Sequence, residues 1–260
     1  MARITCLQID VRDRSKEENV ENALALLDQA PASDLYLLPE IWPCGYFSFD
    51  RYEKDSETLD GPTVRAMREK AVALRGRLLM GSLVEKNQGN LYNTSVLVDP
   101  RGEIVATYRK IHLFGYQSKE AKLLTRGSDV ALADLPWGKA GLATCYDLRF
   151  PEFFRLMMDR GATHFLVVSA WPLARLEAWK LFNRARAHEN LAFLISCNCA
   201  GASEGVRFAG HSSIVDPMGV VLAQGDENGG IVSHEVDFSQ VDAARQEFPA
   251  LTDRVFRTIQ

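Results

Sequence analysis

The chain lacks the features that mark several large classes of protein. No apolar stretch approaches the roughly 18 residues that a membrane-spanning helix needs, and Met1-Ala2-Arg3-Ile4-Thr5-Cys6 enters a strand-like pattern without the apolar core of a signal peptide. We therefore expect no membrane partner and a cytoplasmic location. There is no basic run and no aromatic RNA-binding signature, and 30 Lys and Arg against 34 Asp and Glu leave a net charge of −4. That balance argues against nucleic acid and for a small-molecule partner. Cysteine is scarce: five, an odd number, fit a reducing compartment better than a disulfide framework. Cys197 and Cys199 form Cys-x-Cys with no second pair, which is not a zinc spacing, and read as packing in a strand over Leu191–Cys199. No Gly-x-Ser-x-Gly elbow suggests a serine hydrolase, and no Gly-x-Gly-x-x-Gly follows a strand to suggest a dinucleotide enzyme.

What is present is an alternation of short apolar runs with helical patterns. At 260 residues and 47% hydrophobic, the chain can bury a large core, and no low-complexity linker divides it, so we expect one domain over 1–260. Ile4–Ile9 reads as strand, Glu17–Gln29 as helix and Leu35–Leu38 as strand. Pro62–Arg75 is a helix opened by Gly61-Pro62, and Arg77–Val84 resumes as strand. Later come a helix over Pro151–Arg160, a strand over Thr163–Ser169 and a long helix over Leu173–Glu189. The segments Ser95–Ala106 and Ser212–Ala223 match at six of twelve positions, each reading strand, Asp-Pro-x-Gly turn, strand. Two β-rich halves with helices before each hairpin can bury their sheets face to face with the helices outside.

Three chemistry-bearing residues each follow an apolar stretch. Cys145 ends Ala140-Gly141-Leu142-Ala143-Thr144 and precedes a helix-like segment, where a helix N-terminus and free backbone N–H groups stabilise a thiolate. A lone cysteine is more often a buried hydrophobe, but Glu40 closes Leu35-Tyr36-Leu37-Leu38-Pro39 and Lys110 lies in Tyr108-Arg109-Lys110-Ile111-His112-Leu113-Phe114. Together they supply a nucleophile, a base and an oxyanion clamp.

These residues sit in blocks that resemble the nitrilase superfamily of carbon–nitrogen hydrolases. The match runs in order through Leu38-Pro39-Glu40, Tyr108–Phe114, Cys145–Glu152, Ala185–Asn190 and Gly210-His211-Ser212, nearly the whole chain. The resemblance implies a four-layer α-β-β-α sandwich and a homodimer or larger homo-oligomer. The tail Ser239–Gln260, read as a short helix and an arm, would contribute to the subunit interface. It implies Cys145 as nucleophile and Glu40 as general base in a low-dielectric pocket that raises its pKa. It implies Lys110 and the backbone N–H of Tyr146 as oxyanion donors. Glu120, seven residues before Gly127, would support Lys110 and orient the substrate, although Ala121–Arg126 departs from the usual Thr-Pro-Gly ending. The implied reaction passes through a thioester on Cys145 that water hydrolyses, with no metal and no organic cofactor. His112 lies on the lysine's own loop and reads as structural; His188 and His211 fall in helix and strand contexts.

Tyr146-Asp147-Leu148-Arg149-Phe150-Pro151-Glu152 after the cysteine is more similar to the amidase-type branch, including ω-amidase-like proteins, than to nitrilases with Trp-Glu or aliphatic amidases with Asp-Gly-Met. The arginine pattern of N-carbamoyl-amino-acid hydrolases is not intact. The expected activity is hydrolysis of a small amide to a carboxylic acid and ammonia. N-carbamoyl or nitrile hydrolysis within the same superfamily, and a catalytically silent binding protein, are the alternatives. The loop Gly115-Tyr116-Gln117-Ser118-Lys119 departs from the ω-amidase pattern, which argues against dicarboxylate monoamides. Arg149 is a candidate for pairing with a substrate carboxylate or for anchoring the loop after the nucleophile, and Arg184 and Arg186 carry a similar ambiguity. Tyr146, Phe150 and Trp171 complete the expected substrate-binding set, in a pocket shaped by the Trp42–Tyr52 and Gly115–Thr125 loops.

Overall fold

Each half of the chain runs strand, helix, strand, helix, strand and then into an antiparallel hairpin. The computed structural model, which describes residues 1–256, forms two six-stranded sheets, one centred on each half, with the late strand Gly230–Val236 returning to the edge of the first. Across the first sheet the order is Gly230–Val236, Ala2–Gln8, Leu35–Leu37, Arg77–Asn87, Asn90–Val98, Ile104–Arg109. Across the second it is Ala131–Leu135, Gly138–Thr144, Ala162–Ser169, Phe193–Asn198, Ser213–Val215, Val221–Gln224. Position by position the two agree: a parallel trio lies at the centre and every flanking pairing is antiparallel. The related hairpins also share their turn. Asp99 accepts from the N–H groups of Arg101 and Glu103 (2.8 and 3.0 Å), and Asp216 from those of Met218 and Val220 (2.8 Å each). Gly102 and Gly219 take the positive φ the turn requires, 81° and 78°.

Side-chain alternation places the layers. In the first sheet Ile4, Cys6, Leu35, Leu37, Leu79 and Leu97 join the core shared with the second sheet, while Leu7, Tyr36, Leu78, Met80, Val96 and Val98 form a second core with Ala23, Leu27, Val64, Met67 and Ala71 of the covering helices Lys16–Gln29 and Pro62–Leu74. Pro151–Asp159 and Leu176–Asn190 cover the other outer face through Phe154, Met157, Trp179 and Ala187. This is the expected four-layer α-β-β-α sandwich. Both faces of each sheet are buried, which is why its central strands read as near-continuous apolar runs. A small sheet of Val206–Arg207, Ala200–Ser203 and Asp10–Val11 ties the halves together. No helix among the described residues is long and apolar enough to cross a membrane.

Helix starts follow local chemistry. Ser15 caps Lys16–Gln29 in a reciprocal box with Glu18, and Pro62 and Pro151 open their helices in the first turn. Two expectations are corrected. Leu173–Glu189 is a 3-10 turn, Leu173–Arg175, followed by the helix Leu176–Asn190. The strand expected over Leu191–Cys199 spans Phe193–Asn198, because Leu191 takes the left-handed cap of the preceding helix (φ 42°) and the Cys199 N–H turns to the Ser169 carbonyl (3.0 Å). His211 lies before the strand Ser213–Val215, in a left-handed conformation (φ 50°). The tail helix spans Gln240–Glu247; residues 257–260 of the expected arm lie outside the described residues.

Leu79→Ala, which opens a cavity between the sheets, is expected to cost about 2–5 kcal/mol in urea unfolding. Ser15→Ala removes only a helix cap and should cost about 1 kcal/mol. Similar losses from the two would contradict the layer assignment.

Candidate active site

The chain delivers three groups to one end of the sandwich. Glu40 leaves the end of the parallel strand Leu35–Leu37, Lys110 follows Ile104–Arg109, and Cys145 follows Gly138–Thr144. Ligand sites lie beyond the carboxyl ends of parallel strands because there the chain departs the sheet and exposes side chains. Glu40 bridges the two halves: its N–H donates to the Ser169 carbonyl (3.3 Å) and its Oε2 accepts from the Ala170 N–H (2.9 Å).

Lys110 is fully buried between two buried carboxylates. Its Nζ donates to Glu40 Oε1 at 2.8 Å and to Glu120 Oε1 and Oε2 at 2.9 and 3.0 Å. Asn93 Nδ2 bridges the same carboxylates, donating to Glu40 Oε1 (2.8 Å) and Glu120 Oε1 (3.0 Å). Tyr46 OH and the Phe114 N–H complete Glu120 Oε2 at 2.9 and 2.7 Å. Glu120 opens a single helical turn, Glu120–Leu123, and the chain then returns to the lysine, where the Gly127 N–H donates to the Lys110 carbonyl (2.9 Å). A Cβ on Gly127 would sit 2.1 Å from the Arg109 carbonyl oxygen. That close approach gives the Glu120-to-Gly127 spacing its physical meaning.

Burial pushes the Glu40 carboxyl above its ordinary range, an effect Lys110 opposes and Glu120 reinforces. For Lys110 burial works against the charge, but the two carboxylates outweigh it and hold the ammonium well above its ordinary value. The Cys145 thiol is raised by burial and by Glu40, with Lys110 opposing. This corrects the expectation of a thiolate stabilised by a helix N-terminus. Cys145 opens a five-residue 3-10 turn, Cys145–Arg149, and the α-helix begins only at Pro151. Its backbone is left-handed (φ 48°), a strained elbow for a residue with a Cβ.

Asp147 holds that elbow. Its buried carboxylate accepts from the Thr144 N–H (2.8 Å), Tyr108 OH (2.7 Å) and the His112 N–H (3.3 Å), and pairs with His112 Nδ1 (2.7 Å). The Lys110 loop and the turn at Cys145 are thereby joined through one side chain, and His112 is part of that brace.

A pocket of about 230 Å³ opens over Cys145. Tyr146, Arg149 and Trp171 line it as expected, together with Tyr46, Phe47, Phe114, Tyr116, Gln117, Ala170 and Arg175 from the loops read as shaping it and from the strand-to-helix connection. Phe150 is outside this lining; its ring stacks on His112 with centroids 3.9 Å apart. Arg184 and Arg186 are structural: Arg184 donates to the Gly219 carbonyl (2.9 Å), Arg186 to the Leu148 carbonyl and Glu189 (2.9 Å each). Sequence reading passed over Asn93, Tyr46, Asp147 and Arg175. Asp147 was within reach, since it stands three residues after Thr144 and completes a capping pair with it.

The carbon–nitrogen hydrolase family matches residues 3–246. The chain is 35% identical over 246 residues to a 2-oxoglutaramate amidase of Paenarthrobacter nicotinovorans, covering 92% of this chain and 84% of that one. It is also 35% identical over 252 residues to a 2-oxoglutaramate amidase of Bacillus subtilis, covering 96% of each. A CN-hydrolase superfamily protein of Xanthomonas campestris, solved with an arsenic adduct in its active site, superposes with a TM-score of 0.92 at 30% identity, over 100% of this chain and 99% of that one. The chain belongs to the carbon–nitrogen hydrolase family. Within it the chain falls in the amidase branch of the nitrilase superfamily, and it is a hydrolase of carbon–nitrogen bonds other than peptide bonds.

Asp147→Asn turns an acceptor of several donors into a group that must itself donate. It is expected to lower kcat by about tenfold or more with little change in secondary structure, since an unsatisfied buried group costs about 1–3 kcal/mol. Unchanged kcat would remove Asp147 from the support of the elbow.

Proposed function

We propose that the chain hydrolyses a small primary amide through a thioester on Cys145, with Glu40 moving the proton and Lys110 meeting the oxyanion. The observation that carries this is the arrangement of three groups: Lys110 Nζ donates to the Glu40 carboxylate (2.8 Å), and that carboxylate acts on the Cys145 thiol, helping to push it up while Lys110 opposes.

Burial and Glu40 push the Cys145 thiol up, so attack requires its proton to leave as the bond forms. Glu40 takes that proton, Sγ adds to the amide carbonyl carbon, and negative charge gathers on oxygen. An ammonium has three N–H donors; two of them suffice for Glu40 and Glu120, leaving one for the oxyanion beside the Tyr146 N–H that follows the elbow. Glu40 returns its proton to the amide nitrogen as the C–N bond breaks, releasing ammonia and leaving the thioester. Water then attacks with Glu40 again taking a proton, the C–S bond breaks, and the acid departs with the thiol restored. Glu120 keeps Lys110 charged and aimed, a positioning role. The names of the Paenarthrobacter nicotinovorans and Bacillus subtilis relatives favour a short acyl group of the 2-oxoglutaramate kind.

Ammonia release from a panel of primary amides is expected in the native protein and should fall by about a thousandfold or more in Cys145→Ala, with a mass increase on Cys145 under acid quench in the native protein. Full activity in the variant, with no adduct, would overturn the reading. The pH profile has a definite sign. Glu40 must be ionised to accept a proton, and its carboxyl lies above the ordinary value of 4.5, so kcat/KM should fall on acidification with an apparent pKa above 4.5. Cys145 and Lys110 are both raised, so no loss is expected through the usual cysteine range. A rate that instead climbs through that range, as free thiolate forms, would contradict Glu40 as the base.

A further inference from the structure

Ser169 ends the parallel strand Ala162–Ser169, the neighbour of the strand that delivers the nucleophile. Thr144 is the register partner of Val168, so Cys145 and Ser169 are the next positions along the two chains, where both leave their pairing. The Ser169 carbonyl is committed: it accepts from the N–H groups of Glu40 (3.3 Å) and Cys199 (3.0 Å). Its side chain is not. Ser169 has no solvent contact, and among the described residues its Oγ has no hydrogen-bond partner. Other buried serines of the sheets are tied down: Ser82 Oγ accepts from the Ile41 N–H (3.0 Å), Ser95 Oγ meets Thr144 Oγ1 (3.2 Å) and Ser196 Oγ meets Ser213 Oγ (3.1 Å). The Ser169 hydroxyl acts instead on the nucleophile. Burial and Glu40 push the Cys145 thiol up, and Lys110 and then the Ser169 hydroxyl draw it down.

A buried polar group left unpaired is costly, and such groups are rare enough that each calls for a use. The sulfur of a neutral thiol is a weak acceptor, whereas a hydrogen bond to an ionised group is of the stronger kind. The donor on Ser169 is therefore worth most when Cys145 carries negative charge. In the steps above the Lys110 donors go to Glu40, Glu120 and the oxyanion, and the Tyr146 N–H to that same oxyanion, so none of them serves the sulfur. We propose that the Ser169 hydroxyl donates to Cys145 Sγ while the sulfur is negatively charged, once as Glu40 takes the thiol proton and again as the C–S bond of the thioester breaks. In the first step the proton passes from Sγ to Glu40 as the sulfur pair forms the bond to the carbonyl carbon. In the second the C–S pair returns to sulfur, which regains a proton from Glu40, and Ser169 keeps its own proton throughout. This rests on Cys145 as the nucleophile of the amidase reading and adds a residue to it. Glu40 and Lys110 are the charged groups that act on Cys145; Tyr46 and Cys199, which also interact with it, are pushed well above their ordinary values by burial and stay protonated.

The test reads the sulfur in the absence of its base. In Glu40→Gln the pH profile of iodoacetamide alkylation at Cys145, followed by peptide mass, reports ionisation of the thiol itself. Adding Ser169→Ala should displace that profile to higher pH by about one to two pH units, the roughly 10- to 100-fold worth of a hydrogen bond to a charged group. With Glu40 intact, Ser169→Ala should lower kcat by roughly tenfold or more and change KM little. Ser196→Ala deletes a buried hydroxyl of the adjacent strand that is already held by Ser213, and should move neither the profile nor kcat. Ser169→Thr keeps the hydroxyl and should keep the profile of Glu40→Gln alone. An unmoved profile in Ser169→Ala, or an equal displacement in Ser196→Ala, would overturn the proposal; were Ser169→Ala not to fold, displacement in Ser169→Thr would overturn it. Silence of the native protein on every amide would sink the amidase reading instead, while the alkylation profiles would still decide the role of Ser169.

Discussion

Lys110 has no solvent contact and lies between Glu40 and Glu120, which have none either. An ammonium and two carboxylates taken wholly out of water are costly to assemble, and such a cluster is a poor source of stability even when every charge is paired. Its value lies in fixed charge. Burial and Glu120 push the Glu40 carboxyl above its ordinary range while Lys110 holds it down. The Cys145 thiol is raised by burial and by that carboxylate, so it holds its proton more tightly than a free thiol does.

The rest of the fold serves that cluster. Each glutamate is held by backbone as well as by the lysine: Glu40 by the Ala170 N–H at the end of a strand in the opposite half, Glu120 by the Phe114 N–H on the lysine's own loop. Asn93 spans both from the hairpin that leads to Lys110. The related halves do not contribute equivalent residues. Glu40 follows Leu35–Leu37, whose place in its sheet corresponds to that of Ala162–Ser169 in the other, whereas Cys145 follows Gly138–Thr144, whose place corresponds to that of Ala2–Gln8. The two sheets are alike, and the site lies where residues of both meet.

Much of this was legible in the residues. Strand and helix order follows from apolar period and from Pro62 and Pro151, and the repeated Asp-Pro-x-Gly turns mark the halves in the sequence itself. Glu40, Lys110 and Cys145 were visible as polar residues ending apolar runs in recognisable blocks. Contacts set by three-dimensional proximity were not. Asn93 sits mid-strand with nothing local to distinguish it, and Tyr46 reaches Glu120 across 74 residues of sequence. Arg175 looked like part of a long helix, whereas a 3-10 turn brings it to the pocket. Phe150 misled for the same reason: residue type suggested a wall, but the elbow turns its ring onto His112. The thiolate expectation failed because it assumed an α-helix start where the chain makes a short, tight turn.

The central claim is that Cys145 depends on Glu40 for its reactivity. The most direct test is the pH dependence of iodoacetamide alkylation at Cys145, followed by peptide mass, in the native protein and in Glu40→Gln. The native rate should rise as Glu40 ionises, below the pH at which a free thiol does so, and then level off. In Glu40→Gln alkylation should wait until the thiol ionises unaided. Coincident profiles in the two proteins would contradict the account, because Cys145 would then lose its proton without the carboxylate beside it.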